Sequence, residues 1–227
     1  MEAGLKRDFS YSVVPTVNYD AVVIDVEYVV IHYTGGSLKR SLELLLDPDK
    51  EVSAHLLIAE DGSIIELVPC LDGEALMAWH AGDSTWSDGN RTWDGFNNFS
   101  IGIELVNLHG NFFEYTEDQY QSLIQVIDYL KSIYPSLQSA DRVVGHEHIA
   151  GWRGKADPGC MFEWERVFRE CYSGQKAPVR VPVMPEPLKT ALAKFLPYEP
   201  DGEDESAEFW HAMNYSTEVA IGLANKK

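Results

Sequence analysis

Apolar residues recur along the first part of the chain with two periods, one typical of strands and one of helices. The run EYVVIHYTGG at residues 27–36 is rich in β-branched and aromatic residues, and it predicts a buried strand that ends near His32 and Tyr33. The next segment, SLKRSLELLL from Ser37, has apolar residues at helical spacing. It predicts a helix, which the following Asp-Pro pair ends.

Two further strand signals and one long loop follow. The segment SAHLLIAEDGSIIELVP places apolar runs on either side of Asp61-Gly62, a pair typical of hairpin turns. Residues 81–98 are rich in Gly, Asp, Asn and Trp and predict a long loop. The segment FSIGIELVN alternates, so that Gly102 and Glu104 lie on one face of a strand and apolar residues on the other. The apolar face comprises Ile101, Ile103 and Leu105.

The clearest helix signal is TEDQYQSLIQVIDYLKSIYP, which begins at Thr116. Thr116 is a good N-cap residue, and Gln119 completes a capping box. Apolar side chains recur at helical spacing in one stripe: Tyr120, Leu123, Ile124, Ile127, Leu130 and Tyr134. A short strand at residues 142–144 and a helix around residues 162–172 come next. This order predicts an α/β fold, with a mixed central β-sheet and flanking helices.

The C-terminal part of the chain differs in composition from the rest. Proline recurs in APVRVPVMPEP, which predicts a linker, and the acidic run EPDGEDE then separates two helical candidates that begin at Leu188 and Ser206. We therefore predict a first domain over residues 1–173, a proline-rich linker over 174–187 and a short helical, acidic extension over 188–227. The sequence leaves open whether the extension packs on the first domain or binds an unidentified protein partner.

Charge and composition narrow the classes of partner. The 227-residue chain is 45% hydrophobic, enough for a sizeable core, and its formal net charge is −18. A surface this acidic repels nucleic acid and anionic lipid, so we predict neither as a partner. No stretch of the sequence reaches the ~18 apolar residues of a membrane helix.

The cysteines and the first residues bear on location. The three cysteines, Cys70, Cys160 and Cys171, are widely spaced and do not resemble a disulfide framework, which favours a reducing compartment. The start, MEAGLKRDFSYSVV, has no apolar segment of a signal peptide. Both observations predict a cytoplasmic protein. A protein exported without a cleaved signal, acting in the periplasm or on a target-cell wall, has the same features and stays an alternative.

Candidate metal ligands follow two predicted strands. His32 ends the first strand, and the stretch VVGHEHIAGWRGKADPGC brings His146 and then Asp157 after a β run. Two imidazoles and one carboxylate on tetrahedral zinc leave the fourth position for water, the pattern of catalytic zinc sites. A lone histidine at a strand end is more often structural, so the spacing suggests a zinc site without specifying one.

Two charged residues are candidates for catalysis. Glu104 lies opposite the apolar face of its strand, where a carboxylate can point into a cleft and act as general base toward a metal-bound water. Lys155 lies two residues before Asp157 and can stabilise an oxyanion. Each also has a plain interpretation, as a solvated glutamate and as a surface lysine.

Five motifs occur in a fixed order: VIHYTGGSLKRSL, VSAHLLIAEDGSIIELVP, AWHAG, FSIGIELVN and VVGHEHIAGWRGKADPG. Together they resemble the zinc-dependent N-acetylmuramoyl-L-alanine amidases, the family shared with amidase-type phage lysozymes and peptidoglycan-recognition proteins. The resemblance runs from about Val29 to Trp164 and is strongest to the bacterial enzymes of peptidoglycan recycling and turnover. It implies a mixed sheet with helices on its faces and one zinc ion per chain in a surface groove.

The resemblance also implies an activity and a role for each motif. The implied reaction is hydrolysis of the amide between the lactyl group of N-acetylmuramic acid and L-alanine, in peptidoglycan or in soluble muropeptides. The implied zinc ligands are His32, His146 and Asp157, the implied catalytic groups are Glu104 and Lys155, and His55 and His80 are implied to shape the cleft and bind substrate.

The sequence departs from the family pattern in two places. His148 stands where relatives often have aspartate, and the spacing from His146 to Asp157 is one residue longer. Residues 95–98, GFNN, lack the arginine and aspartate of many relatives, which suggests a changed substrate contact at Asn97. As alternatives to Asp157, a thiolate from Cys160 or the ring of His148 could supply the third ligand. The remaining histidines, His109 and His211, match no motif and are predicted to be solvated.

Two other functions compete with the amidase. A peptidoglycan-binding receptor of the same fold needs no catalysis, but such relatives typically lose the third ligand, and Asp157 is present here. A zinc peptidase acting within the stem peptide would carry H-E-x-x-H, which the HEH at residues 146–148 does not match.

Overall fold

A computed structural model describes residues 7–87, 89–180 and 213–221. The strands are β1 Ser12–Val13, β2 Tyr19–Ile24, β3 Tyr28–Tyr33, β4 Leu56–Ile58, β5 Ile64–Glu66, β6 Ala75–Ala78, β7 Thr85–Ser87, β8 Thr92–Asp94, β9 Ser100–Leu105 and β10 Val143–Gly145. The helices are α1 Leu38–Leu46, α2 Glu117–Ile133, α3 His146–Ala150, α4 Trp164–Cys171 and α5, residues 213–221.

The central sheet has six strands in the order β1-β5-β4-β9-β3-β10. Strands β4, β9, β3 and β10 run parallel, whereas β4 and β5 form an antiparallel hairpin around the predicted Asp61-Gly62 turn. The other strands of the described residues form two small antiparallel sheets, β2-β6 and β7-β8. The predicted mixed sheet with flanking helices is therefore confirmed.

The two faces of the sheet bury different residues because side chains alternate along each strand. Ile31 of β3 and Ile103 of β9 pack in a core with the apolar stripe of α2 and with α4. On the opposite face, Val30 packs near α3, and Leu57 of β4 packs under α1. His32 and Glu104 share this second face, between the areas that α1 and α3 cover.

Local signals set the helix ends. The Thr116 side chain accepts a hydrogen bond from Gln119 N at 3.1 Å, and Gln119 Oε1 accepts one from Thr116 N at 3.1 Å, so the predicted capping box is present. The Ser37 side chain caps α1 by accepting a hydrogen bond from Arg40 N. Helix α1 ends at Leu46, directly before the Asp-Pro pair.

The structure is more regular than the sequence indicates in the segments around the cavity. Residues 81–98 do not form a simple loop, because Trp86 and Trp93 face each other across the β7-β8 hairpin and Trp93 packs edge-on against Tyr28 at 5.2 Å between ring centroids. The segment after β10 begins directly as helix α3, held in part by a hydrogen bond from Gly145 N to His148 Nδ1.

The extension is described only in part. Helix α5 falls within the candidate that begins at Ser206. The candidate at Leu188, the second half of the predicted linker and His211 lie outside the described residues. Met213 and Ile221 of α5 are buried with Ala156, so this part of the chain packs on the sheet domain. None of the described helices is long and apolar enough to cross a membrane. The domain boundaries themselves stay a prediction.

Candidate active site

A cavity of about 290 Å³ opens on the second face of the sheet, beyond the carboxyl ends of β3 and β9. Its walls come from α1, from the segment around Trp79, from α5 and from the strands below. Its chemically active lining consists of His32, His80, Glu104, His146, Lys155, Asp157 and Glu218. The structure thus brings together six residues that the motifs single out and one that they do not.

Three of these side chains form a cluster that could hold a metal ion. His32 Nδ1 lies 3.1 Å from His146 Nδ1 and 2.9 Å from Asp157 Oδ2, and His146 Nδ1 lies 3.1 Å from the same oxygen. Ligands around tetrahedral zinc at ~2 Å lie ~3.3 Å apart, so the three atoms have nearly the spacing of one face of such a site. The donor set therefore fits a divalent metal.

The charge of the cluster also suits a cation. All three side chains are buried. Burial opposes ionisation of Asp157, but the adjacent imidazoles of His146 and His32 hold the pKa of its carboxyl well below the usual value. Asp157 is therefore an anion that faces two ring nitrogens across about 3 Å.

Strand pairing brings the two histidines together. β3 and β10 are parallel neighbours, with Gly145 in register with Ile31. His146 and His32 come directly after these two residues, so they lie side by side at the same edge of the sheet. Asp157 returns to this edge through its carbonyl oxygen, which accepts a hydrogen bond from Glu147 N at 2.8 Å.

A second set of contacts orients the ligand rings. With Nδ1 turned to the cluster, His32 Nε2 lies 3.1 Å from His80 Nδ1, and His146 Nε2 lies 3.2 Å from the carbonyl of Ala81. His80 Nε2 in turn lies 3.3 Å from the carbonyl of Ser100. Burial first, and then the neighbouring histidines, lower the pKa of His80 well below its usual value. A neutral His80 can accept from His32 and donate to Ser100, which fixes the His32 tautomer.

His55 and Asn97 lie behind the cavity wall. His55 Nδ1 accepts from Gly102 N at 3.0 Å, Nε2 donates to the carbonyl of Leu76 at 2.8 Å, and burial lowers its pKa to about 4. Asn97 Oδ1 accepts from the backbone N of His80 and of Ala81. Neither residue is among the described residues that line the cavity. Their contacts position the His80 segment, and substrate binding by them stays a prediction.

Glu104 lies beside His32, because the two residues are in register on the parallel strands β9 and β3. Its Oε2 is buried and has no hydrogen-bond partner among the described residues. Burial raises the pKa of Glu104 to about 7, although attraction to His32 opposes that rise. A carboxyl that is unpartnered and titrates near neutrality is suited to accept and return a proton.

Lys155 makes a contact that the motifs do not predict. Its Nζ lies 2.7 Å from Glu218 Oε1, on α5. Burial raises the pKa of Glu218, against the lowering effect of the Lys155 ammonium. The only sequence signal for Glu218 was its place in the helical candidate of the extension, which says nothing about the cavity.

The alternative ligands lie away from the cluster. His148 packs between Trp86 and Trp164, at 6.2 and 5.4 Å between ring centroids. Cys160 Sγ donates weakly to the carbonyl of Asn111 at 3.5 Å. Among the described residues, the cluster of possible metal ligands includes neither. All three cysteines are free thiols.

The prediction that His109 is solvated was wrong. Its ring is fully buried and tilted against Phe112 at 4.8 Å between centroids, and Nε2 lies 3.4 Å from Thr217 Oγ1 of α5. Burial lowers the pKa of His109 to about 4. Helix α5 covers this histidine, which the sequence could not indicate.

The fold and the cavity place the molecule among α/β proteins that carry a candidate metal centre at the ends of parallel strands. The sequence profile of the N-acetylmuramoyl-L-alanine amidase family matches residues 23–160. The chain therefore belongs to the N-acetylmuramoyl-L-alanine amidase family.

Two similar proteins carry the names of amidases of this kind. The chain is 44% identical over 115 residues to 1,6-anhydro-N-acetylmuramyl-L-alanine amidase AmpD of Salmonella typhimurium strain SL1344, a match over 51% of this chain and 54% of that protein. It is 35% identical over 160 residues to AmpD of Haemophilus influenzae, over 63% of this chain and 80% of that protein. The match thus spans about half the length of the Salmonella relative.

A solved structure has a similar fold. AmiD from E. coli, in complex with the substrate anhydro-N-acetylmuramic acid-L-Ala-D-gamma-Glu-L-Lys, matches with a TM-score of 0.55 at 26% identity. The match covers 91% of this chain and 85% of that chain.

Proposed function

We propose that this protein is a zinc-dependent N-acetylmuramoyl-L-alanine amidase, which hydrolyses the amide between the lactyl group of N-acetylmuramic acid and L-alanine in muropeptides. One observation carries the proposal: the ligand cluster of His32, His146 and Asp157 shares a cavity with Glu104, whose Oε2 has no hydrogen-bond partner within the described part of the chain. The names of the AmpD and AmiD relatives support the same bond as the site of cleavage.

The residues of the cluster would hold one zinc ion through His32 Nδ1, His146 Nδ1 and Asp157 Oδ2. When bound there, zinc supplies Lewis acidity toward the substrate carbonyl and the attacking water. The His80 contact keeps the His32 ring in the tautomer that presents Nδ1.

Glu104 moves the protons in this proposal. Its carboxylate accepts a proton from the attacking water and returns it to the leaving nitrogen of L-alanine, so that the amide breaks into an acid and an amine. A carboxylate that takes a proton as general base can give it back as general acid later in the same turnover. Lys155 Nζ holds the negative charge that develops on the carbonyl oxygen, a contact whose loss commonly costs about 10²–10³ in rate.

The cavity argues against a purely binding function. A peptidoglycan-binding protein gains nothing from a buried carboxyl without a partner, because ionising such a group costs free energy. The Oε2 atom of Glu104 is buried in this way next to His32, without a hydrogen-bond partner among the residues that the structure describes. A catalytic site needs such a carboxyl for proton transfer, whereas recognition of peptidoglycan does not.

We further propose that soluble muropeptides are the preferred substrates and that the protein acts in the cytoplasm. The AmpD relative is named for 1,6-anhydro-N-acetylmuramyl-L-alanine, and the AmiD structure holds anhydro-N-acetylmuramic acid-L-Ala-D-gamma-Glu-L-Lys; both compounds are small fragments of this kind. An exported amidase that acts on intact cell wall is the alternative.

Product analysis tests both the bond that is cleaved and the preference for soluble muropeptides. The purified protein is incubated with an anhydro-muramyl tripeptide and with intact sacculi, and the products are identified by mass spectrometry. We expect free peptide with an N-terminal L-alanine, formed faster from the fragment, and no product with a Glu104→Ala control. Cleavage inside the stem peptide would contradict the amidase, and faster release from sacculi would contradict the substrate preference.

A further inference from the structure

Helix α5 supplies one wall of the cavity. Asn214, Tyr215 and Glu218 line it together with Glu104 and Lys155. We propose that α5 is part of the active site and that Glu218 is a positioning residue, which holds the Lys155 ammonium in place for the reaction. The inference rests on the proposed function, since that function gives Lys155 its role.

Apolar and polar contacts fix α5 to the sheet domain. Met213 and Ile221 are buried against Ala156, the residue next to Lys155. Asn214 Nδ2 donates to the carbonyl of Leu108 at 2.7 Å. These contacts lie at both ends of the helix, so its middle is held at a defined position over the cavity.

A glycine permits the closest approach. Gly154 has φ +102, and a Cβ built on it would lie 1.7 Å from the carbonyl oxygen of Glu218. Only a residue without a side chain lets the backbone of α5 pass this close to the residue that precedes Lys155. The contact sets the distance from which the Glu218 carboxylate reaches the lysine.

The ion pair is short and partly shielded. Lys155 Nζ lies 2.7 Å from Glu218 Oε1, and the two side chains are about 27% and 32% exposed. A lysine side chain is a flexible stem with three donor hydrogens, and fixing it costs rotamer entropy. Glu218 occupies one donor and restrains the stem before substrate arrives, and the other donors remain for the oxyanion.

The opposite role is autoinhibition, in which the Glu218 carboxylate takes the place that the oxyanion needs. The surroundings favour positioning. Glu104, Asp157 and Glu218 all line the same cavity, so Lys155 has several carboxylates that could attract it. Because Glu218 is held on α5, it keeps the Lys155 ammonium at one position instead of letting it move among these carboxylates.

Kinetics of the full-length, zinc-loaded protein test the proposal. We expect Glu218→Gln, which keeps the shape but not the charge, to lower kcat by about tenfold to a hundredfold with little change in KM, because misplacing a catalytic group by ~1 Å can cost 10²-fold. Glu218→Asp should recover part of the loss.

In a Lys155→Met background, Glu218→Gln should have almost no further effect, because the two residues act as one unit. A rise in kcat would establish autoinhibition, and an equal loss in both backgrounds would establish a merely structural role; either overturns the proposal.

A matched pair of glycine variants tests the docking of α5. Gly154→Ala should reproduce the kcat loss of Glu218→Gln, because the added methyl group collides with the backbone of α5. Gly174 has a similar φ of +87 with nothing within 4 Å of an added Cβ, so Gly174→Ala carries the same backbone strain without the collision. Equal kinetics for the two variants would argue against a docked α5.

A measurement without turnover separates this inference from the proposed function. Thermal unfolding of the single and double variants at Lys155 and Glu218 forms a double-mutant cycle. Non-additive losses in Tm are expected if the pair exists, even if no muropeptide is hydrolysed. Additive losses would contradict the ion pair, whereas an inactive parent protein with a coupled pair would contradict the proposed function alone.

Discussion

Asp157 is the residue on which the proposed metal site depends most, because one of its carboxylate oxygens contacts the ring nitrogens of both His32 and His146. Removing it leaves two imidazoles without the only anion of the cluster. We expect the purified protein to hold about one zinc per chain, and Asp157→Ala to lose most of it by metal analysis and to lose activity. Cys160→Ala is the control and should keep both. Full zinc and activity in Asp157→Ala would instead favour Cys160 as the ligand.

Glu104 is expected to lower the stability of the folded protein at the pH values where its carboxyl is ionised. Its pKa is raised by burial from 4.5 to about 7, so the unfolded chain releases this proton at lower pH than the folded protein does. Stability therefore falls as pH rises from about 4.5 to 7, and the deficit persists above pH 7. In chelator-treated protein, Glu104→Gln should raise Tm at pH 8 more than at pH 5.

The same variant tests the catalytic role of Glu104. It should retain zinc but lose kcat, because the amide cannot accept a proton. In the parent protein, kcat/KM should fall as pH is lowered through about 7 or somewhat below, since a bound cation favours the ionised carboxyl. Zinc-loaded Glu104→Gln with near-parental kcat would remove this residue from the mechanism.

At the residue scale, the sequence predicts the ligands better than their surroundings. His32, Glu104 and Asp157 lie in or directly after recognisable strands and motifs, so local pattern locates them. Glu218 lies 63 positions from Lys155, and nothing local links the two. His109 is similar, because it is buried by helix α5, whose Thr217 lies 108 positions further along the chain.

At the scale of elements, β9 has to leave room for the ring of His80. A Cβ on Gly102 would lie 2.4 Å from His80 Cγ, and Gly102 N also donates to His55. Gly102→Ala should therefore displace His80, release the His32 ring and weaken zinc binding, measured by competition with a chelator. Outer contacts of this kind typically change metal affinity by about 10–100-fold. Gly36→Ala is the control, since its Cβ would meet only two Arg40 side-chain atoms, at 3.5 and 3.6 Å. Equal zinc affinity in both variants would show that His80 does not orient the ligand.

The longer elements follow from local pattern and the shorter ones do not. Helix α2 has a capping box and an apolar stripe, and β3 and β9 are buried in the middle of the sheet, so burial and sequence agree. Strand β2 exposes Val22 and Val23, at 55% and 57%, and so lacks the alternation of a half-buried strand. The β7-β8 hairpin depends on Trp93 packing against Tyr28, a contact between distant parts of the chain.

At the scale of the whole molecule, the net charge of −18 bears on the choice of substrate. Intact wall is a polymer whose stem peptides carry many carboxylates, so an acidic enzyme is repelled before it adsorbs. A soluble fragment carries few charges and needs no adsorption. The repulsion acts on encounter and not on the chemical step, because charges more than ~8 Å apart are largely screened at physiological salt.

Salt should therefore change the two activities unequally. Raising sodium chloride from low to physiological concentration is expected to increase the rate on sacculi more than the rate on an anhydro-muramyl tripeptide, with both rates measured by release of peptide. The tripeptide serves as the internal control, because any effect of salt on the cavity or on zinc binding acts on both substrates alike. Sacculi cleaved faster than the tripeptide at low salt would contradict the preference for soluble fragments. That outcome would favour an exported amidase, in which residues outside the catalytic cavity overcome the repulsion and hold the enzyme on the wall.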